Sequence, residues 1–471
     1  MEKQDFFFHT MEGYGEAVAL VMDRGECITY QKLIERADSL AEKIGRRCLI
    51  FLACRNVEES VVGYVACMRN GIVPVMVSAD IDAELLNNLI ECYHPAYLWA
   101  PAKKEAFSGE EVYRGGDYVL RRTGLEQDYE LGEELALLLT TSGSTGSPKL
   151  VRQTVQNIKS NTESIIEYLK IRPDDRAITT LPMNYTYGLS ILNTHLCVGA
   201  RVILTDAALT KKEFWTLIKE QGATTFGGVP YTYEILKKLR FGRMELPSLR
   251  YLTQAGGRLG RELAEEFNAI CEEKGIRLIV MYGQTEATAR MSYLPWEDAG
   301  RKAGSIGIPI PGGKFELVDA NGQLIDGADV VGELVYCGSN VTPGYAKSRM
   351  DLAKPDENKG VLYTGDMAKR DEDGFYYVVG RKKRFLKIFG NRVNLDEVEN
   401  LLKKEGIENA CTGQDDRMVV FLTDPLRAAA AEGFLVEHMR ISRSGFIIRQ
   451  IEEIPRSEAG KVLYSALEVN N

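Results

Sequence analysis

The chain has 471 residues, more than one hydrophobic core usually supports, so its length predicts two or more domains. Its composition, with 45% apolar and 27% charged residues, is ordinary for a globular protein, and no apolar run reaches the length of a bilayer span. A formal net charge of -9 argues against a nucleic-acid-binding surface.

Between residue 29 and about residue 250, amphipathic helices alternate with short apolar strands. The stretch "YQKLIERADSLAEKIG" carries apolar residues at helical spacing and ends in Gly45, and "CLIFLA" follows as a buried strand. The stretch "RELAEEFNAICEEKG" and the strand "IRLIVMYG" repeat this order. Helix, terminal glycine and apolar strand together predict β/α units on largely parallel sheets.

After about residue 305 the pattern changes to β-hairpins, with turns expected at Asn321-Gly322 and Asp373-Gly374. Beyond Arg384, "LDEVENLLKKEG" predicts an amphipathic helix and "RMVVFLTD" a strand. We therefore expect an α/β fold: a large N-terminal domain of β/α sheets with a hairpin-rich subdomain, residues 1–382, and a small mobile α+β domain, residues 383–471.

Cysteine and histidine do not point to a metal centre. Nine cysteines lie between Cys27 and Cys411 without a C-x-x-C pair, which is typical of reduced thiols in a cytoplasmic protein. The four histidines are far apart in the sequence, so a zinc site or a histidine-centred triad is disfavoured. The N-terminus lacks the apolar core of a signal peptide.

The stretch "LLLTTSGSTGSPKL", residues 137–150, runs from an apolar strand into a glycine- and hydroxyl-rich loop. Backbone N–H groups of such a loop and one lysine favour a bound phosphate. Pro148 and Leu150 flank the lysine, so the loop is not that of P-loop ATPases, and no kinase pattern accompanies it. The candidate phosphate-binding residues are Thr141, Ser142, Gly143, Ser144, Thr145, Gly146 and Lys149.

Four further segments carry candidate site residues. In "VMYGQTEAT" a strand leads into Tyr282, which can stack on a base, and into Thr285 and Glu286, which can hold a phosphate and Mg²⁺. In "VLYTGDMAKRDEDGFYYVVGRKKR", Asp366 suits ribose hydroxyls and Arg381 suits the same sugar or a phosphate. The loop "GSNVTPGY" is interpreted as a structural turn. The lysine of "PRSEAGKVLY" would by default be a solvated side chain.

In order and residue type these five segments resemble the adenylate-forming superfamily of acyl-CoA synthetases, nonribosomal peptide adenylation domains, carrier-protein ligases and luciferase. The resemblance runs from "ITYQKLIERADSLA" to "GKVL" and covers nearly the whole chain. It implies that a carboxylate attacks the α-phosphorus of ATP to give an acyl-adenylate and pyrophosphate, after which a thiol takes the acyl group and releases AMP.

The resemblance also implies roles for single residues. The loop Thr141 to Lys149 closes over the β- and γ-phosphates, and Lys461 bridges the carboxylate and the α-phosphate. Tyr282 flanks adenine, Thr285 touches the α-phosphate and Glu286 serves Mg²⁺. Asp366 holds the ribose with help from Arg381. The remaining nucleotide-site residues are Gly256, Gly257, Arg258, Gly283 and Gln284.

The small domain of this superfamily rotates between the two steps, which implies Lys383 as the hinge and Lys387 with Gly390 for the second half-reaction. Two residues depart from the family pattern: Leu150 replaces a glycine of the loop, and Tyr464 replaces a basic residue after Gly-Lys. Neither removes a group that the chemistry needs.

The acid-binding loop "PMNYTYGLS" has no carboxylate to pair with a substrate ammonium, so an α-amino acid is disfavoured. Tyr185, Gly188, Phe226 and Gly228 are the candidate pocket residues for an aryl or acyl acid. Arg258 either meets a second polar group of the acid or caps a turn.

The thiol acceptor is expected to be coenzyme A, and the phosphopantetheine of an acyl carrier protein is the alternative. A catalytically silent nucleotide-binding relative is a further alternative, although Lys461, Glu286 and Asp366 are all present. The expected partners are thus a small carboxylic acid, ATP and Mg²⁺, with no nucleic acid and no membrane.

Overall fold

The computed structural model describes residues 6–140, 149–389, 391–437, 439, 441–456 and 462–468. The chain forms two compact units, the first Met1–Lys314 with Cys337–Leu362 and the second Phe315–Tyr336 with Tyr363–Asn471. The expected domain boundary between residues 382 and 383 lies inside the second unit. The boundary stays a prediction.

The described part of the chain forms α-helices and β-strands with the following bounds, in chain order. The α-helices are α1 Phe7–Thr10, α2 Tyr30–Ile44, α3 Glu58–Asn70, α4 Ala83–Tyr93, α5 Val155–Leu169, α6 Thr186–Cys197, α7 Lys212–Glu220, α8 Pro230–Lys238, α9 Arg261–Glu273, α10 Leu395–Lys404, α11 Ala428–Glu437 and α12 Tyr464–Glu468. The strands are β1 Val18–Val21, β2 Cys27–Thr29, β3 Leu49–Cys54, β4 Val73–Ser78, β5 Tyr97–Pro101, β6 Glu110–Gly115, β7 Tyr118–Arg122, β8 Leu135–Thr140, β9 Leu150–Thr154, β10 Arg176–Ile178, β11 Arg201–Ile203, β12 Thr225–Gly228, β13 Tyr251–Gln254, β14 Arg277–Tyr282, β15 Ser292–Tyr293, β16 Ile308–Pro309, β17 Gly313–Val318, β18 Gly332–Gly338, β19 Tyr345–Ala346, β20 Val361–Arg370, β21 Tyr376–Arg381, β22 Phe385–Ile388, β23 Asn391–Asn394, β24 Asn409–Gln414, β25 Arg417–Leu422 and β26 Phe446–Gln450.

Two mixed sheets organise the first unit. One has the order β16-β15-β14-β13-β12-β10-β11-β1-β2, and its six strands from β14 to β1 run parallel. The other has the order β19-β9-β8-β4-β3-β5-β7-β6, with β8, β4, β3 and β5 parallel. Every residue of β3 is buried, as expected of a parallel strand covered on both faces. The predicted class of β/α sheets is confirmed.

The sequence signals at helix ends act as expected. Thr29 caps α2 by accepting a hydrogen bond from the Lys32 N–H, and Gly45 ends the helix at φ 72°. Thr154 and Asn157 form a reciprocal capping box at the start of α5, where β9 turns into the helix. These local interactions fix where the strand-to-helix connections begin.

The second unit contains the predicted hairpins. Its four-stranded sheet has the order β17-β18-β20-β21, and β20 turns into β21 through Gly374 at φ 87°. Gly322 turns at φ 78°, and the Asp319 carboxylate accepts two backbone N–H groups of that turn. A three-stranded sheet, β24-β25-β26, packs with α10 and α11 around a core that includes Val398 and Val420.

All nine cysteines are free thiols within the described ranges. No helix in the described part of the chain has the length and apolar character needed to cross a bilayer. The cytoplasmic location stays a prediction.

Two helical glycines predict opposite effects of alanine. A Cβ on Gly63 of α3 would lie 2.6 Å from both Leu52 Cδ1 and Trp99 Cδ1, which are buried, so Gly63→Ala should lose about 1–3 kcal/mol of unfolding free energy. A Cβ on Gly433 of α11 meets nothing within 4 Å, so Gly433→Ala should gain about 0.5–1 kcal/mol.

Calorimetric unfolding of both variants beside the wild type checks this pair. A stabilised Gly63→Ala protein would show that α3 does not pack as closely on β3 and β5 as described.

Candidate functional site

Three parallel strands end on the same side of one sheet, and β14 runs two residues beyond the position level with the other two ends. Gly228 of β12 is in register with Gln254 of β13, and Gln254 is in register with Val280 of β14. Because loops at the carboxyl ends of parallel strands meet at one edge of a sheet, the segments that follow lie close together. The predicted "TFGG", "QAGG" and "YGQTE" segments therefore share this edge.

The turn after β14 requires a glycine. A Cβ on Gly283 would lie 1.7 Å from the Ala289 carbonyl oxygen, which no side chain can accommodate. Asn340, from the loop "GSNVTPGY", holds the turn by donating to the carbonyls of Ala287 and Arg290, each at 2.8 Å. Gln284 Nε2 donates to Tyr282 Oη at 3.3 Å.

Tyr345 joins two of the predicted site residues. Its hydroxyl donates to Glu286 Oε1 at 2.6 Å, and the Lys149 ammonium lies 3.2 Å from the centroid of its ring. Burial and the nearby Glu286 charge raise the pKa of Tyr345, so its hydroxyl stays protonated and acts as the donor. The structure thus places a cation, a tyrosine and a carboxylate in one contact series.

The sequence interpretation of "GSNVTPGY" as a structural turn missed this role of Tyr345. The residue reaches the site because β19 pairs antiparallel with β9, placing Tyr345 opposite Val151. That pairing joins segments almost two hundred residues apart and has no local signal in the sequence.

Glu286 fits a magnesium ion that also binds substrate phosphates. Within the described residues, no group of three or more histidine, cysteine or acidic side chains is arranged to hold a metal. Mg²⁺ commonly binds through one or two carboxylates while keeping waters and phosphate oxygens as its other ligands. Tyr345 occupies Oε1 of Glu286, and Oε2 has no hydrogen-bond partner among the described residues.

The predicted acid-pocket residues lie next to the same strand ends. Gly256, at φ 83°, brings the backbone so close to Tyr185 that a Cβ would lie 2.6 Å from Tyr185 Oη. Burial raises the pKa of Tyr185 to about 12, so the phenol is a neutral hydrogen-bonding group. A Cβ on Gly188 would lie 2.3 Å from the Pro182 carbonyl oxygen, which fixes the entry into α6.

Within the described part of the chain, three other predicted residues, Phe226, Gly257 and Arg258, make no contact with the residues described above that bears on their assigned roles. Phe226 is buried edge-to-face against Phe214 and Phe241, so it belongs to the core as well as to the neighbourhood of the pocket. Gly257 accepts a hydrogen bond from Gln254 Nε2 at 3.0 Å, whereas Arg258 is exposed. Their assigned roles stay predictions.

In the second unit, sheet register brings together the two residues expected to bind ribose. Asp366 of β20 is directly opposite Arg381 of β21, and Arg381 Nε lies 3.3 Å from Asp366 Oδ1. Asp366 is buried and Arg381 is largely exposed, so the guanidinium remains accessible beside a fixed carboxylate. Gly365, at φ 70°, shapes the strand immediately before Asp366.

The predicted hinge lies in a short helical turn, Lys382–Arg384, that leads into β22. Arg384 forms ion pairs with Asp396 and with Glu399, the latter at 2.6 Å. Lys387 donates its backbone N–H to Asp415 and has an exposed side chain. The chain just after the hinge is therefore anchored to α10.

Tyr464 is anchored to the same carboxylate. Its hydroxyl donates to Glu399 Oε2 at 2.9 Å, and the Arg384 guanidinium lies 3.8 Å from the centre of its ring. Arg456 and Val462 form a β-bridge on either side of the segment that contains the predicted lysine. Tyr464, which departs from the family pattern, thus has a structural role of its own in this chain.

Several predicted site residues fall outside the described ranges. These are Thr141, Ser142, Gly143, Ser144, Thr145, Gly146, Gly390 and Lys461. The structure describes neighbours of the phosphate loop and of the lysine loop, and the roles assigned to these eight residues stay predictions.

Comparison with known proteins identifies the family. The profile of the family described as "AMP-binding enzyme" matches residues 7–346. The chain is 26% identical to a 2-succinylbenzoate–CoA ligase of Oceanobacillus iheyensis, over 94% of this chain and 95% of the relative. It is also 26% identical to a medium-chain fatty-acid–CoA ligase of Escherichia coli, over 97% and 88%.

Solved structures agree with this assignment at the level of the fold. The O-succinylbenzoate coenzyme A synthetase of Bacillus subtilis in complex with AMP superimposes with a TM-score of 0.79 at 22% identity, covering 98% of both chains. The same synthetase with ATP and a magnesium ion gives a TM-score of 0.78. The chain therefore belongs to the AMP-binding enzyme family and is an adenylate-forming ligase, as its five motifs predicted.

Proposed function

We propose that the two-step reaction of this ligase, formation of an acyl-adenylate and its transfer to coenzyme A, is carried out by the residues assigned from its motifs. The observation that carries the assignment is the contact series Lys149–Tyr345–Glu286 at the ends of the parallel strands. In this series Lys149 supplies a positive charge for the phosphates of ATP, and Glu286 supplies a carboxylate for the magnesium ion that accompanies them.

In the first step a carboxylate oxygen of the acid attacks the α-phosphorus of ATP, and the bond to the bridging oxygen of pyrophosphate breaks. Chemistry of this kind depends on positioning and on neutralising phosphate charge. Lys149 and the preceding loop hold the β- and γ-phosphates, and Lys461 stabilises the charge at the α-phosphate. Glu286 would hold Mg²⁺, which would supply positive charge to the phosphates.

The nucleoside part of ATP is held by separate groups. Tyr282 offers its ring to the adenine, and its position is fixed by the turn at Gly283. Asp366 accepts hydrogen bonds from the ribose hydroxyls, and Arg381 lies beside that carboxylate. In the second step the thiol of coenzyme A attacks the acyl carbon, and AMP leaves.

The acid is proposed to lack an α-amino group. No carboxylate lies in the segment from Pro182 to Gly188, so a buried substrate ammonium would have no counter-charge there. A carrier-protein phosphopantetheine is the alternative acceptor, because it ends in the same thiol as coenzyme A.

We expect acid-dependent exchange of labelled pyrophosphate into ATP, in the presence of Mg²⁺, when carboxylic acids without an α-amino group are supplied. Common L- and D-amino acids should be poor substrates. The full reaction should release AMP and proceed with coenzyme A, and a parallel assay with a phosphopantetheinylated carrier protein tests the alternative acceptor. Release of ADP in place of AMP would contradict the mechanism.

The contact between Tyr345 and Glu286 predicts a magnesium-dependent effect. Tyr345→Phe keeps the ring beneath Lys149 but loses the hydrogen bond that orients the carboxylate, so half-saturating Mg²⁺ in the exchange assay should rise roughly 3- to 10-fold. Tyr377→Phe, which removes a tyrosine–carboxylate bond to Asp371 on the hairpin β20–β21, is the matched control. Equal effects of both substitutions would remove the argument for Tyr345.

Lys461 and Lys383 should act in different steps. Lys461→Ala should slow adenylation about 10²–10³-fold and still allow transfer from a supplied acyl-adenylate to the thiol. Lys383→Pro fixes φ near −65° at the predicted hinge, so it should leave adenylation largely intact and suppress transfer. Separate assays of adenylation and of thiol transfer check both variants. If Lys461→Ala loses both steps equally, or if Lys383→Pro loses neither step, rotation of the small domain between the two steps is refuted.

A further inference from the structure

Arg290 is a buried arginine beside the predicted acid pocket. It is 3% exposed and follows the turn that carries Thr285 and Glu286. Its guanidinium carbon lies 4.0 Å from the centre of the Tyr187 ring, and Nη2 donates to Ser190 Oγ at 3.2 Å. Both of these residues belong to the first turns of α6, in the segment expected to line the acid pocket.

The neighbours of Arg290 are all neutral. Besides Ser190 Oγ, the side chain donates from Nε to Met281 Sδ at 3.3 Å, and within the described residues it forms no ion pair. The two neighbouring hydroxyl groups donate their protons to other acceptors, because Ser190 Oγ donates to the Tyr187 carbonyl and Tyr187 Oη donates to Thr253 Oγ1. The Tyr168 hydroxyl, also neutral, forms a further side-chain hydrogen bond with Arg290.

A second buried arginine of the same unit, Arg152, has a carboxylate partner and serves as a comparison for Arg290. Arg152 is 1% exposed, and its Nη2 lies 2.9 Å from a carboxylate oxygen of Glu357 and 2.8 Å from the Pro343 carbonyl oxygen. Arg152 is thus neutralised within the fold. Arg290 is equally buried but is left with its charge uncompensated.

Local electrostatics do not supply the missing negative charge. The helix α6 begins beside Arg290, and the N-terminal end of a helix carries a partial positive charge. This partial charge favours an anion, and an unpaired buried charge is costly.

The position of Arg290 also points toward the acid. Arg290, Tyr187 and Ser190 line a small cavity of about 20 Å³ between α5, α6 and the strands β12, β13 and β14. Phe226, one of the predicted acid-pocket residues, lines the same cavity. The guanidinium therefore borders a space that it shares with a residue expected to contact the acid.

From this geometry we infer that the acid substrate carries a second anionic group, a carboxylate or a similar oxyanion, which pairs with Arg290 at the closed end of the pocket. This inference rests on the proposed function, because the acid is activated at its other carboxylate. Arginine suits the role, since its planar fork binds a carboxylate through two parallel hydrogen bonds. Arg290 is then a specificity-determining residue.

The test compares matched acids in the pyrophosphate exchange assay. Straight-chain dicarboxylic acids from malonate to suberate are each paired with the monocarboxylic acid of the same length, and benzoate is paired with the benzenedicarboxylates. The wild-type protein should prefer one diacid over its monoacid partner by roughly 10- to 100-fold in kcat/KM. Arg290→Gln should lower that preference ratio by a similar factor through KM, and Arg290→Lys should restore part of it.

Arg152→Gln is the control for loss of a buried arginine. It should lower the melting temperature and leave the preference ratio unchanged. Because Arg290→Gln could fail to fold, the wild-type preference is itself decisive: exchange with monoacids that equals or exceeds exchange with every diacid overturns the inference while the proposed function stands. Absence of exchange with any acid would instead refute the proposed function.

Discussion

The parallel register of β12, β13 and β14 is the constraint on which the rest of the site depends. Because Gly228, Gln254 and Val280 lie side by side, the three following loops must leave the sheet at one edge. The loops then have little space, and glycines occur where backbone or side chains approach closely. Strand pairing therefore fixes where the loops lie, and the loops in turn fix where the candidate site side chains lie.

One neutral tyrosine contacts two oppositely charged groups of the site. The ring face of Tyr345 contacts the Lys149 ammonium, and its hydroxyl donates to the Glu286 carboxylate. Because the tyrosine is neutral, it positions both groups without adding a charge of its own. Arg290 likewise contacts neutral side chains, whereas Arg152 forms an ion pair with Glu357.

Sequence patterns predicted the parts of this structure that depend on local interactions. Helical spacing followed by Gly45 predicted α2, and turn residues such as Asp373-Gly374 predicted the β20–β21 hairpin. The motifs also named Asp366 and Arg381, which the sheet register brings together. Tyr345 and Arg290 were not recognised, because their roles arise from strand pairing and burial between distant segments, and neither residue type is unusual in its local sequence.

The double use of Glu399 has a mechanical consequence. Arg384, the residue after the predicted hinge, and Tyr464, three residues after Lys461, bind different oxygens of this one carboxylate. Tyr464 and the chain that follows the predicted hinge are thereby both attached to α10. If the chain turns at Lys383, Tyr464 therefore moves together with α10, so the backbone angles of one residue set the position of both.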